Sequence, residues 1–446
     1  MFGQFYGTLI PVTANATMAW AERFNAPEAN NHDAGMDICD ARNGCVIISG
    51  YSADVDGFSR LTLTKQRMSD GRIYWRKFYK PRPAHFSGPM VRVDRFGNPF
   101  VVCRESANIS GTYVLKFDGV TGNLLWKSPK MDRIGSQPQA FVVDVWGNPV
   151  LMLNVRNSAT GNNPLLHLMR FNGANGVRTG LTWIVGYGQD MTTDNEGNFY
   201  VAGYRELRSG GQTYYWANAL KFDASLATIG ITDWRTFGTT FSRANSITPL
   251  ADGSAVVFGV RIINGKPGLC TGRYLPNNIK VWEQFFPMTG YRNYDAFTAN
   301  VDEQGNITVL AQGTADGKTT NDHVVVSYNP VGTIQWSRVI DGPGRGEDHP
   351  LALKSDALGN PIIVGSSKGT DQSLDYFATL LNGASKGTTL WQMSYNGPAR
   401  LDDVARGAVV TRAGDVFITG SSAQRMEGSN TVWDMATVKI HNLGAP

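Results

Sequence analysis

Residues 94 to 129 read DRFGNPFVVCRESANISGTYVLKFDGVTGNLLWKSP, and the punctuation of that stretch decides the fold. Asp94 opens a turn that Gly97 and Asn98 complete. An Asp in this position accepts hydrogen bonds from its own backbone, and Gly takes the positive φ that a tight turn needs. Pro99 to Cys103 is an apolar run of strand length, and Thr112 to Asp118 alternates with the period of a half-covered strand. A second turn from Asp118 to Gly122 delivers a short strand that carries Trp126.

The same punctuation recurs along the chain. DVWGN (144–148), DNEGN (194–198), DEQGN (302–306) and DALGN (356–360) repeat the first turn, with degenerate copies near 40, 251 and 411. The turn glycines fall at 44, 97, 147, 197, 253, 305, 359 and 414, at intervals of 50 to 56 residues. Each turn leads into an apolar strand such as FYVAG, AVVFG or PIIVG, then an alternating strand such as NALKFD or HVVVSYN. A Trp-bearing strand follows, with tryptophans at 20, 75, 126, 183, 234, 282, 336 and 391. Four antiparallel strands in some 50 residues cannot bury both faces, so the units must stack. Radial closure gives an all-β, eight-bladed β-propeller of four-stranded antiparallel blades.

The two ends of the chain are complementary. MATVKIH (435–441) supplies a third strand with no Trp-bearing strand after it, whereas ATMAWAERFN (16–25) precedes the first complete unit. The N-terminal segment is therefore expected to be the outermost strand of the C-terminal blade, which removes an unpaired edge. The blades are expected over 32–80, 86–131, 137–187, 188–238, 242–287, 294–341, 348–397 and 402–440, the last completed by 16–25, all in a single domain.

Composition agrees. Fifty glycines in 446 residues exceed the roughly 7% of an average chain, as many turns require, and charged residues at 17% lie below the usual quarter. A net charge of +4 without a Lys/Arg stripe argues against a nucleic-acid binder. No apolar run approaches the roughly 18 residues of a membrane helix, and MFGQFYGTLIPVTANATMAW lacks the basic and apolar regions of a signal peptide. Cys39 and Cys45 bracket one hairpin and read either as a cross-strand disulfide, if the compartment is oxidising, or as buried free thiols. Cys103 and Cys270 stand alone.

The units resemble the β-propeller repeats of large bacterial secreted and surface proteins. SDALGNPIIVGSS (355–367), LKFDASLATIG (220–230) and YNPVGTIQWSRVIDGPGRGEDHP (328–350) carry the resemblance. It implies export, to the cell surface or beyond, but no activity, because what those repeats share is structural. Phe117 to Pro129 also resembles the Gly-x-x-x-Trp segment of quinone-dependent dehydrogenases, which have eight-bladed propellers. Their adjacent-Cys pair is absent here, and so is the Cys-x-x-Cys-His of a c-type haem. Trp126 therefore reads as a packing residue.

No sequence signature of a nucleophile elbow, phosphate loop or zinc protease occurs. His167 and His323, in third strands, read as structural or solvent-facing rather than catalytic, and the Asp residues of Asp-x-x-Gly-Asn as turn residues. Function is expected at the other end of the ring, where each Trp-bearing strand connects to the next inner strand. The segments there supply His32, Asp33, His85, Asp190, Arg243, Asp295, Asp348, His349, Asp402 and Asp403 as ligand-binding candidates, without a defined catalytic set. Together they would form a convergent pocket; separately, each Asp would cap a loop through backbone N–H groups. Arg243 departs from the acidic pattern and is placed to offset a carboxylate or to bind an anionic group. The carboxylates allow one cofactor, a hard cation such as Ca2+. The reading is a monomeric binding or scaffold propeller for a carbohydrate or a protein. The alternative is a polysaccharide lyase or hydrolase using the same end.

Overall fold

The computed structural model describes residues 16–26, 32–56, 58–80, 85–106, 111–131, 137–155, 164–209, 211–233, 241–275, 279–428 and 430–443. They form eight four-stranded antiparallel sheets. The inner strands Ala34–Asp40, His85–Val93, Gln137–Val143, Tyr187–Thr193, Ser242–Pro249, Tyr291–Val301, Asp348–Ser355 and Asp403–Val410 number blades 1 to 8. Each packs on its successor, and the inner strand of blade 8 packs back on that of blade 1, so the sheets close into a ring. The outermost strand of blade 8 is Ala16–Phe24, which pairs with Asn430–Asn442 from Ala16 opposite Asn442 to Phe24 opposite Met435. No described helix is long and apolar enough to cross a membrane.

Second strands read as continuous apolar runs because neighbouring blades cover both of their faces. Pro361–Lys368 is buried at every position but its last. Eight hydrophobic clusters result, one for each blade junction. Every inner strand carries a β-bulge, for example between Gly35 and Asp37 and between Gly188 and Asp190. Bulges raise the local twist and re-aim the side chains that follow.

The first turns are held as their sequence implies. The Asp94 carboxylate accepts from the N–H groups of Phe96 and Asn98, and Gly97 takes φ of 79°. Asn98 in turn accepts from Gly119 N–H, tying this turn to the second turn of the same blade. Asp144, Asp194, Asp302 and Asp356 repeat the bonding of Asp94.

The tryptophans join one blade to the next. Trp75 Nε1 donates to Gly119 O of blade 2 (3.4 Å), Trp126 to Gly173 O of blade 3 (3.2 Å), Trp282 to Pro330 O of blade 6 (3.1 Å) and Trp336 to Gly383 O of blade 7 (2.9 Å). Trp20 reaches Met68 O, and Trp391 reaches Asn442, across the two junctions of blade 8. Each ring of the first four lies on a positive-φ glycine. At Gly332 an added Cβ would stand 2.5 Å from Trp282, so both the conformation and the close approach exclude a side chain. Trp126 also meets Phe100 edge-on, a packing role.

Trp183 does not belong to this set. Trp75, Trp126 and Trp282 stand opposite Lys65, Lys116 and Arg273, but the residue opposite Arg170 in blade 3 is Gly180. Trp183 lies three residues further on and is 59% exposed. The missing ring is replaced from the other side. Leu226, at the glycine position of blade 4, adopts φ of 70°, is buried, and reaches the space above Gly180. Trp234 lies outside the described residues. At its junction Gly230 stands opposite Lys221, beside a small cleft of about 20 Å3 lined by Tyr200, Tyr274 and Leu275 among others.

All four cysteines are free. Cys39 stands opposite Ile47, and Cys45 opposite Arg67 on its other side, so the first pair are not cross-strand partners. Burial pushes the Cys103 and Cys270 thiols up to about 12.

Candidate functional site

The loop end of the ring is built from the connections into the inner strands and the loops between second and third strands. The sequence candidates take different neighbours there. Asp33, Asp348 and Asp403 are fully buried at the starts of inner strands in blades 1, 7 and 8. Each accepts a backbone N–H from the preceding loop, from Ala26 (2.7 Å), Gly342 (3.1 Å) and Gly397 (2.6 Å) respectively. They cap loops, and burial holds all three carboxyls up near pH 7. His32 and His349 are exposed. His85 begins the inner strand of blade 2 opposite Ser106, and its side chain lies outside the described residues. Asp402 is exposed and accepts from Leu374 N–H.

Asp190, Arg243 and Asp295 are not in loops but within inner strands. Asp190 follows a bulge and accepts from Ser246 Oγ (3.1 Å) and Ile247 N–H (3.2 Å) of the next blade. Burial raises its pKa, and its field supports the Lys354 ammonium, which burial depresses. Asp37 holds the same register position in blade 1, where it bonds Val91 N–H and the Arg92 guanidinium. These carboxylates therefore stitch inner strands together.

Arg243 and Asp295 come together. The guanidinium of blade 5 bonds the carboxylate of blade 6, and Asn245 lies against both at 3.3 and 3.4 Å. Beside them runs a series of rings. Tyr187 stacks on its cross-strand partner Tyr204 (centroids 4.7 Å, 19°), Tyr204 meets Tyr215 edge-on at 6.0 Å, and Tyr215 meets Phe241 at 5.5 Å. All four are partly exposed, and Tyr204 feels the Arg243 charge. Tyr204 and Tyr215 sit on a tall hairpin, Phe199–Ser209 and Gln212–Phe222, paired as far as Ser209 opposite Gln212, and the sequence between them reads Gly210-Gly211. The Gly-Gly pair, a two-residue hairpin signal, was the clue to the tall hairpin and its tyrosines.

Asp322, Asp341 and Asp348 form a second group at the junction of blades 6 and 7. Carboxylate oxygens of all three lie within 4.8 Å of one another, an arrangement able to hold a metal ion. Neither Asp322 nor Asp341 was a sequence candidate. The signal for Asp341 is an Asx-Gly/Ala-Pro run followed by an Asp that starts the inner strand, as in DGPGRGED (341–348), NGPARLDD (396–403) and NAPEANNHD (25–33), whereas Asp322 lies outside that run. His323 beside them is a core residue, stacked on Phe377 and held neutral by burial, which lowers its pKa to about 4. His167 is likewise buried.

No protein-family model and no curated protein matches the chain. Among solved structures it is similar to a protein of unknown function from Dyadobacter fermentans (11% identity, 96% of this chain and 100% of that one, TM-score 0.48). It is also similar to the polysaccharide lyase Uly1 (9% identity, 98% and 99% covered, TM-score 0.44) and to an endo-arabinase from Bacteroides thetaiotaomicron (15% identity, 68% and 96% covered, TM-score 0.31). Likenesses this distant reach no further than the fold, an eight-bladed propeller by its own strand order.

Proposed function

We propose that this propeller recognises a carbohydrate across blades 4 to 6 at its loop end. The observation that carries the reading is the series Tyr187, Tyr204, Tyr215 and Phe241 running up to the Arg243–Asp295–Asn245 group. Half-open aromatic rings offer rigid apolar faces to the C–H faces of sugar rings. A few fixed polar groups beside them set orientation by bonding hydroxyls. Because Asp295 already neutralises Arg243, the group suits uncharged saccharides better than uronates. Hard-cation chemistry, Ca2+ first, is what the acidic loop ends support, and the likeness to bacterial secreted repeats supports export.

A glycan array of neutral and uronate polymers, followed by calorimetry and product analysis, tests the reading. Binding of a neutral glycan is expected, weakened about tenfold or more by Tyr204→Ala and by Asp295→Asn, a loss of about 1.4 kcal/mol or more. Asp295→Asn should leave the melting temperature unchanged. Absence of binding to every glycan would sink the reading and turn attention to a protein partner, whereas cleaved products would make the same surface that of a lyase or hydrolase.

A further inference from the structure

The acidic group between blades 6 and 7 has more acceptors than the protein can satisfy. Asp322 begins the third strand of blade 6 and is 1% exposed; Asp341 follows the outer strand of blade 6; Asp348 begins the inner strand of blade 7. Asp348 is bonded at both oxygens, by Ser367 Oγ and Gly342 N–H. Asp322 Oδ1 and Asp341 Oδ1 are buried without a donor. A buried acceptor with no donor is costly, and two beside a third carboxylate are costlier. The cation present is Lys318, which bonds the other oxygens, Asp322 Oδ2 at 2.9 Å and Asp341 Oδ2 at 3.3 Å. It enters from the loop before the third strand and remains 44% exposed. Three carboxylates against one ammonium leave net negative charge.

The same positions recur at the next two junctions. They hold Asp375, Asn396 and Asp403 between blades 7 and 8, and Asp434, Asn25 and Asp33 between blades 8 and 1. Orphaned side-chain oxygens appear at both, at Asn396 and Asp403 in the first and at Asn25, Asp33 and Asp434 in the second. At the second, the Arg23 guanidinium is fixed beside Asp434 (2.9 Å), held by Ser422 Oγ and the Ala423 carbonyl. The fold thus places a permanent cation at one of these positions. The junction of blades 6 and 7 is the one of the three with a carboxylate at every position, and its cation is a half-exposed lysine.

We propose that Asp322, Asp341 and Asp348 bind a divalent hard cation of the Ca2+ type, which displaces the Lys318 ammonium and clamps blade 6 to blade 7. Ca2+ takes oxygen ligands at about 2.3–2.6 Å, so oxygens on opposite sides of one ion lie about 5 Å apart, and the three carboxylates fit that span. Two come from the ends of blade 6 strands and one from the first residue of blade 7, so the ion bridges a junction.

The test uses the full chain stripped with EDTA, titrated with Ca2+ or Mg2+ by calorimetry and melted with and without Ca2+. The wild type should bind Ca2+ and melt at higher temperature in its presence. Asp341→Asn, at a partly exposed position, should weaken that affinity about tenfold or more, and Lys318→Met, which removes the internal competitor, should tighten it to a similar extent. The proposal is overturned if neither the wild type nor Lys318→Met takes up Ca2+ at millimolar concentration. It is also overturned if Asp341→Asn, folded by circular dichroism, binds Ca2+ as tightly as the wild type. Preference for Mg2+ over Ca2+ would refute the assignment of ion type.

Discussion

Gly180 and Leu226 exchange the sizes that Trp and Gly have at other junctions, and this exchange can be reversed by mutation. The turn around Leu226 matches the turn around Gly332. Asp223 N–H bonds Ala227 O and Leu226 N–H bonds Asp223 O, as Asn329 N–H bonds Thr333 O and Gly332 N–H bonds Asn329 O. Leu226→Gly removes a side chain that is 3% exposed, which costs about 2–5 kcal/mol. Relief of the left-handed conformation returns about 1 kcal/mol, leaving a net loss of about 1–4 kcal/mol. Gly180→Trp drives a ring into the space of Leu226, whose Cδ1 would lie 3.2 Å from the new Cβ, for about 1–3 kcal/mol or more. The double variant should rebuild the Trp282–Gly332 junction, with Ala224 O in the place of Pro330 O, and lie within about 1 kcal/mol of the wild type. The expected coupling is therefore about 3 kcal/mol, measurable by reversible urea unfolding followed by circular dichroism. Losses that simply add in the double variant would refute the swap.

Two further outcomes follow from the same junctions. Trp20→Ala, at a buried ring that donates to Met68 O and packs on Phe417, should cost about 3–5 kcal/mol. Trp183→Ala should stay within about 0.5 kcal/mol; equal losses in urea unfolding would restore Trp183 to the repeat. Asp403, packed among Asp375, Asp402 and Arg23, is pushed up to about 7 by burial from an ordinary 3.8. A raised carboxyl keeps its proton longer in the folded state, so its contribution is full below pH 4 and is lost as pH rises towards 7, by at most about 4 kcal/mol. Asp403→Asn should flatten the stability profile between pH 4 and 7 and be the more stable protein at pH 8; an unchanged slope in pH-dependent unfolding would show that the carboxyl is not proton-linked.

The turn at Asp94 and the outer strand at Trp20 were legible in the sequence because each is a local pattern with one physical solution. Trp183 misled for the same reason. Its spacing looks regular, but register is set by bulges and pairing partners, and the compensation by Leu226 lies in another blade. Arg243 stands out in the sequence because it departs from the acidic pattern, yet nothing local to either residue linked it to Asp295, 52 positions away. Asp322 and Asp341 went unremarked because an Asp at a strand end usually has a turn to cap. Their significance depends on what converges from blade 7.

The contacts of Trp75, Trp126, Trp282 and Trp336 run one way, from the outer strand of a blade to the turn of the blade after it. A directional link of that kind joins neighbours without registering how many neighbours there are. None of these links counts the blades, and the feature nearest the axis that every blade shares is its bulged inner strand, whose raised twist bears on the angle between neighbours. Duplication of a unit carrying the Trp–Gly pair would keep that link, whereas Gly180 and Leu226 would have to be kept together, and a change of twist common to the inner strands would be repeated in all eight blades.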